Sequence, residues 1–182
     1  MSWRCNHCEE GGYLHLNKDI EEKIKPLTSS PACKPVGDWI YKYFNERCIS
    51  KATVDHFRIK QASRKILQLH SKNPDHVGKW IMRNCIAFPV LNDGKLINIQ
   101  YRDQDKNFSM ESGAEKILYN IDAIKRKDVK RAVIVEGYID CMSYHEANVH
   151  EVVSVPNGAT VSPSEIQMFK ETGKLVIEKP LS

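Results

Sequence analysis

The run Ala132-Val133-Ile134-Val135 has the character of a short strand buried on both faces, and it ends in Glu136-Gly137-Tyr138-Ile139-Asp140. Ligands of α/β sheets collect beyond the carboxyl ends of the strands, so Glu136 is expected at a ligand-facing tip. Gly137 would let a backbone or a phosphate approach closely, and Asp140 would begin the next helix on the same rim. Carboxylates in such a place act as general bases or hold Mg2+ for phosphate chemistry. They equally suit a plain helix N-terminus, where acids are favourable without any catalytic part. A second pattern opens the chain, where Cys5 and Cys8 form a C-x-x-C pair followed by Gly11 and Gly12, as in a small metal knuckle. A structural zinc ion needs four ligands. His7, His15 and Cys33 are the candidates to complete the set, and no pair among them has a convincing ligand spacing.

The elements that must carry these groups can be read from periodicity. Strand-like runs start at residues 132, 152 and 174, with helix-like segments from Met142 and from Ser162-Pro163 between them. That spacing predicts a βαβαβ unit with a parallel sheet. Upstream, Trp39, Ile40, Tyr43 and Phe44 have helical spacing, and Ser50 is a plausible N-cap for a second short helix through Phe57. Trp80 to Leu91, the turn Asn92-Asp93-Gly94 and the alternation Leu96, Ile97, Ile99, Tyr101 predict a hairpin, with a further strand from Asn107 to Met110. Asp19 to Lys25 is a short charged helix candidate, and the Pro- and Ser-rich stretch from Pro26 to Pro35 reads as a linker.

The whole chain has 182 residues, of which 41% are apolar and 27% charged, a globular balance large enough for a sizeable core. No stretch approaches the ~20 apolar residues that span a bilayer, and Met1 to Cys5 lacks the apolar core of a signal peptide. A cytoplasmic protein, bacterial or of a phage-infected host, is therefore expected, with no membrane partner. Cys33, Cys48, Cys85 and Cys141 stand alone and read as small buried hydrophobes. Trp3, Trp39 and Trp80 read as core or interface anchors. The net charge is only +4, but Arg58, Lys60, Arg64, Lys65, Lys72, Lys79 and Arg83 are opposed in that stretch by Asp75 alone. Such a cluster suits a polyanion, and it suits a solvated face as well.

Val133 to Asp140 resembles the first motif of the Toprim domain of DnaG-type primases, and Ser154-Val155-Pro156-Asn157-Gly158-Ala159-Thr160 resembles the strand-turn that follows it in phage primase–helicases and Twinkle-like proteins. Glu46 to Phe57 is similar to the helical segment that opens the primase core. Ile86 to Asp103 with Lys106-Asn107-Phe108 is similar to that core's basic subdomain, and Ala114 to Asn120 to its link into the Toprim fold. Trp3 to Gly12 resembles the second half of a primase zinc ribbon. The segments follow in the family's order.

The resemblance implies half a zinc ribbon over residues 1–18, a linker over 19–36, a basic α+β N-terminal primase-core subdomain over 37–131 and a partial α/β Toprim domain over 132–182, with the chain cut short at both ends. It implies RNA primer synthesis on single-stranded DNA from nucleoside triphosphates, with a replicative helicase, fused or separate, as partner. Glu136 would hold Mg2+ (or Mn2+) with help from Asp140; Arg102 and Lys106 would contact template or nucleotide phosphates; Cys5 and Cys8 would be half of a zinc site. The family's Asp-x-Asp after the third Toprim strand has no counterpart in Glu178-Lys179-Pro180. Two metals need several carboxylates, so this chain by itself is expected to be inactive. A non-catalytic nucleic-acid-binding remnant, or another Toprim enzyme such as a topoisomerase or nuclease, stays open at this stage.

Overall fold

The computed structural model describes residues 2–4, 11–13, 27, 32–156 and 175–177. Cys5, Cys8, His7, His15, the helix expected over Asp19–Lys25, the Asn157–Thr160 turn, the helix at Ser162 and Glu178 lie outside the described residues. Strands β1 (Ser2–Arg4) and β2 (Gly11–Tyr13) pair antiparallel.

Helix α1 (Asp38–Asn45) forms where the sequence places its apolar stripe, with Ile40 and Phe44 buried and Asp38 in the first turn. It stops before Cys48, which has a left-handed φ of 57°. Helix α2 (Lys51–His56) is capped by Ser50, whose Oγ accepts the Thr53 N–H at 3.3 Å. Ser50 also donates its own N–H and Oγ–H to Glu146, at 3.0 and 2.9 Å.

Four strands then form an antiparallel sheet: β3 (Lys60–Leu67), β4 (Trp80–Asn92), β5 (Lys95–Arg102) and β6 (Phe108–Met110), in that spatial order. The β4–β5 turn has Asp93 and Gly94 at φ of 51° and 73°, the mirror-image turn that fits strand twist. Pro89 is accommodated because β3 pairs β4 only as far as Ala87, leaving Pro89 without a donor to supply on that side. Side chains alternate. Ile86, Phe88 and Val90 enter the main core, while Cys85 and Ala87 point to the other face with Ala62, Ile66, Ile99 and Tyr101.

The parallel sheet holds β7 (Arg131–Val135) between β8 (Val152–Ser154) and β9 (Leu175–Ile177), with α3 (Tyr138–Glu146) joining β7 to β8. The expected strand–helix–strand unit and its parallel pairing are thus present. The free edge of β8 bridges to Tyr119 through two backbone hydrogen bonds. One continuous core joins Ile40 and Phe44 of α1 to Phe88 of β4 and to Cys141 and Val152 of the parallel sheet, so it crosses the boundary expected at residue 131/132.

β3 was not anticipated. Its inward positions alternate Ala62, Arg64, Ile66, and the arginine hides the period of two. Arg64 lies over the Tyr101 ring at 4.4 Å and pairs with Glu111 at 3.1 Å, so its stem packs like an apolar side chain. Two further expectations need correction. Cys48 is exposed rather than a buried hydrophobe, since it occupies the turn between α1 and α2. Trp80 is 59% exposed, because nothing among the described residues covers the outer end of β4, so of the two readings, core or interface anchor, the core one is excluded.

Candidate functional site

Glu136 follows β7 directly and is exposed at its carboxyl end. It faces a cavity of about 580 Å3 that lies where the two sheets meet. From the parallel sheet come Glu136, Gly137, Val155 and Pro156; from the antiparallel sheet come Gln100, Phe108 and Met110. Gln100, Phe108 and Met110 share one sheet face, because Gln100 pairs with Met110 and Arg102 with Phe108. Gln100 Nε2 donates to the Pro156 carbonyl at 3.1 Å, which ties the two sheets together beside Glu136. Lys116 adds an exposed ammonium to the lining. The cavity therefore combines one carboxylate, one ammonium and an apolar wall that includes Phe108, itself 56% exposed.

Gly137 is the N-cap of α3 and has an extended backbone. A Cβ at this position would stand 2.6 Å from Asp140 Oδ2. The Asp140 carboxylate thus folds back over the first turn of its own helix, an acid in a favourable place near a helix N-terminus. Asp140 is exposed and is not among the residues lining the cavity. Glu136 and Asp140 share the rim expected for them, but only Glu136 opens into the cavity.

Arg102 and Lys106 occupy different surroundings. Arg102 is 7% exposed and donates to the Tyr43 hydroxyl. Its guanidinium lies 5.2 Å from the Tyr43 ring centre and 5.9 Å from that of Phe108, the cavity wall. Lys106 is exposed in the β5–β6 turn. Of the seven cations between Arg58 and Arg83, Arg64 and Arg83 have acidic partners from distant sequence, Glu111 for the first and Asp103 and Asp105 for the second. Lys60, Lys65, Lys72 and Lys79 are exposed. Sequence reasoning named neither Lys116 nor Phe108 as a site residue. Lys116 stands just before the apolar run Ile117-Leu118-Tyr119 that bridges to β8, and that adjacency was the available signal.

A metal fits this arrangement only in part. Mg2+ is commonly held by one or two carboxylates with water and substrate phosphates completing its shell, and exposed Glu136 can be such a ligand. Among the described residues there is no group of three or more His, Cys, Asp or Glu side chains that could hold an ion. No helix among them is long and apolar enough to cross a membrane.

Comparison with known proteins agrees with this architecture. Residues 133–178 match the Toprim-like family. The chain is 33% identical over 176 residues to the primase homolog protein of Arabidopsis thaliana, covering 90% of this chain and 46% of that protein. It is 34% identical over 162 residues to the Twinkle homolog protein, chloroplastic/mitochondrial, of the same plant, covering 89% of this chain and 20% of that one. The chain thus spans less than half the length of either relative. Among solved structures, the DnaG primase catalytic domain bound to ssDNA superposes with a TM-score of 0.54 at 18% identity, over 80% of this chain and 55% of that one. That likeness establishes the fold: a DnaG-type catalytic-core arrangement with a partial Toprim unit.

Proposed function

We propose that this Toprim-containing, primase-like and Twinkle-like chain is part of a primase that makes RNA primers on single-stranded DNA from nucleoside triphosphates. The observation that carries the reading is Glu136 at the carboxyl end of β7, open to a cavity whose opposite wall comes from the cation-bearing antiparallel sheet. Phosphoryl transfer is governed by positioning and by neutralising phosphate charge. In this reading Glu136 is a ligand for Mg2+ (or Mn2+), and the metal, when bound, supplies charge neutralisation at the nucleotide phosphates. Lys116 and Lys106 hold phosphates of nucleotide or template, Arg102, bonded to Tyr43, supports Phe108 in the cavity wall, and Asp140 shapes the start of α3. Cys5 and Cys8 supply half of a zinc site. A replicative helicase, fused or separate, is the partner protein, and the setting is the compartment where DNA is replicated.

The test is template-dependent oligonucleotide synthesis by the longer protein to which this chain corresponds. Glu136→Gln keeps the shape and removes the charge, so activity should fall at least a hundredfold while the thermal midpoint stays within a few degrees. Unchanged synthesis by this variant would end the catalytic assignment.

A second reading is a nucleic-acid-binding module without catalysis. The exposed cations Lys60, Lys65, Lys72 and Lys79 favour it, since they suit a polyanion whether or not chemistry follows. A protein of the relatives' full length that contains this chain separates the two readings. Primer synthesis by it, lost in Glu136→Gln, would remove the second reading, and binding of single-stranded DNA without synthesis would remove the first.

A further inference from the structure

The turn between β5 and β6 is held by an unusually dense set of buried polar contacts. Asp103 is 2% exposed. Its Oδ1 accepts the backbone N–H groups of Asp105 and Asn107, both at 2.9 Å. Its Oδ2 accepts Gln68 Nε2 at 2.9 Å and Asn107 Nδ2 at 3.0 Å. Asn107 is also 2% exposed, and its Oδ1 accepts the N–H groups of Leu69 and His70, each at 2.8 Å. Its Nδ2 donates in turn to the His70 carbonyl at 2.7 Å. Burial by itself would raise the pKa of Asp103, but the donors from Asn107, Gln68 and Asp105 outweigh it and hold the carboxyl below its ordinary value. Arg83 reinforces the site, 3.6 Å from Asp103 and bonded to Asp105.

A polar cluster of this kind is costly unless every member is satisfied, and once satisfied it is rigid. It locks two stretches of chain: the one leaving β3 at Gln68–His70, and the one leading into β6. The residue it presents is Lys106, exposed at a left-handed φ of 65°. That backbone conformation is unfavourable for lysine and persists because its surroundings impose it. Two residues later Phe108 starts the wall of the Glu136 cavity.

We infer that Asp103 and Asn107 are positioning residues, which fix the backbone of the β5–β6 turn so that Lys106 meets a phosphate of a single-stranded polynucleotide beside the cavity. The inference rests on the primase-type reading. Fixing the turn before binding removes the ordering entropy that a mobile lysine-bearing loop would lose on contact. Neither Asp103 nor Asn107 touches the polynucleotide.

The experiment is fluorescence anisotropy of a labelled oligo-dT strand with the full chain across a series of salt concentrations. One phosphate contact contributes about 0.7 to the slope of log affinity against log salt for single strands. Lys106→Ala should lower the slope by about that amount, and Lys106→Arg should keep it. Asn107→Ala should reproduce the loss, and Asn107→Ala with Lys106→Ala should lose no more than either alone. A purely structural role would move the thermal midpoint and leave the slope, or let the two losses add; either result overturns the inference. If Asn107→Ala does not fold, Gln68→Ala removes a single arm of the cluster, and half or more of the Lys106 loss is expected from it; an unchanged slope counts against the inference. Salt-independent binding by the unaltered chain would overturn the functional reading and this inference together. Salt-dependent binding that Lys106→Ala leaves unchanged would overturn this inference alone.

Discussion

Tyr119 lies flat against Tyr138, with ring centres 4.1 Å apart and planes 5° from parallel. Tyr119 belongs to the segment that bridges to β8, and Tyr138 opens α3 two residues after Glu136. Phe57 also stacks on Tyr119, at 5.6 Å, and Phe88 meets both tyrosines edge-on. This aromatic column joins α2, the antiparallel sheet and the rim of the candidate site. Replacing Tyr119 by alanine should cost about 3–5 kcal/mol, as for other large aromatic truncations in a core.

The Tyr119 hydroxyl gives a sharper test. It is buried with no hydrogen-bond partner among the described residues, and burial holds its pKa well above the ordinary tyrosine range. An unsatisfied buried hydroxyl costs roughly 1–3 kcal/mol. Tyr119→Phe should therefore be as stable as the unaltered chain or more so in chemical denaturation. A loss of more than about 1 kcal/mol would reveal a partner for the hydroxyl.

Asp122 secures the tip of the β4–β5 hairpin from outside it. Its two carboxylate oxygens accept the N–H groups of Asp93 and Gly94, at 2.7 and 3.0 Å. Because the site is open to solvent, Asp122→Ala should cost about 1 kcal/mol rather than several. Amide hydrogen exchange at Asp93 and Gly94 should rise sharply in the variant, while Cys85 and Ala87 in mid-strand stay protected. Equal exchange at the tip in both proteins would show that the turn holds itself.

Much of this framework was legible because its signals are local. Ser50 caps α2 through a bond to a residue three positions on, and Asp93-Gly94 demands a particular turn whatever surrounds it. The strand runs at Ala132 and Val152 need only their own apolar character. What escaped depends on distant partners. Arg64 looked like one more surface cation until Glu111 and the Tyr101 ring were brought to it, and β3 was lost with it. Arg102 seemed free for a phosphate, and its burial against Tyr43 comes from the packing of α1 on the sheet. The strand-tip rule was enough to place Glu136 at the end of β7, whereas Lys116 and Phe108 come to the same cavity only through the meeting of two sheets.

Three histidines meet where α2 packs against α3. The rings of His56 and His145 stack at 4.3 Å, and the Nδ1 atoms of His145 and His150 are 3.1 Å apart. Partial burial, then the neighbouring His56 and His150, lower the pKa of His145, against a weaker opposing pull from Glu146. A histidine with a folded pKa below its unfolded value binds its proton more readily when unfolded. Its contribution to stability is therefore complete above about pH 6.5 and declines as pH falls through that value towards the folded pKa. The thermal midpoint should drop between pH 7.5 and pH 5, and His145→Gln should flatten part of that drop. An identical pH profile in the variant would show that His145 is not responsible.

The last prediction concerns the exposed outer half of the sheet. Lys65 pairs across strands with Met82, and Leu67 with Trp80, so these four side chains share one face. It is the face that carries Gln100 and Phe108 into the cavity. Trp80 is 59% exposed and Met82 64%, with Lys65 and Lys79 exposed around them. Aromatic surface interleaved with cations binds single strands by stacking on bases and neutralising phosphates. Stacking one base contributes about 1–3 kcal/mol, so Trp80→Ala should weaken oligo-dT binding about 5- to 150-fold with little change in salt slope. Lys65→Ala should do the reverse, costing about 0.7 of slope and less affinity at high salt. Quenching of tryptophan fluorescence by oligo-dT should be reduced in Trp80→Phe and kept in Trp3→Phe, while Trp39 is half-buried and bonded to Gln61. If affinity and quenching are both unchanged on losing Trp80, the strand takes another path across the molecule.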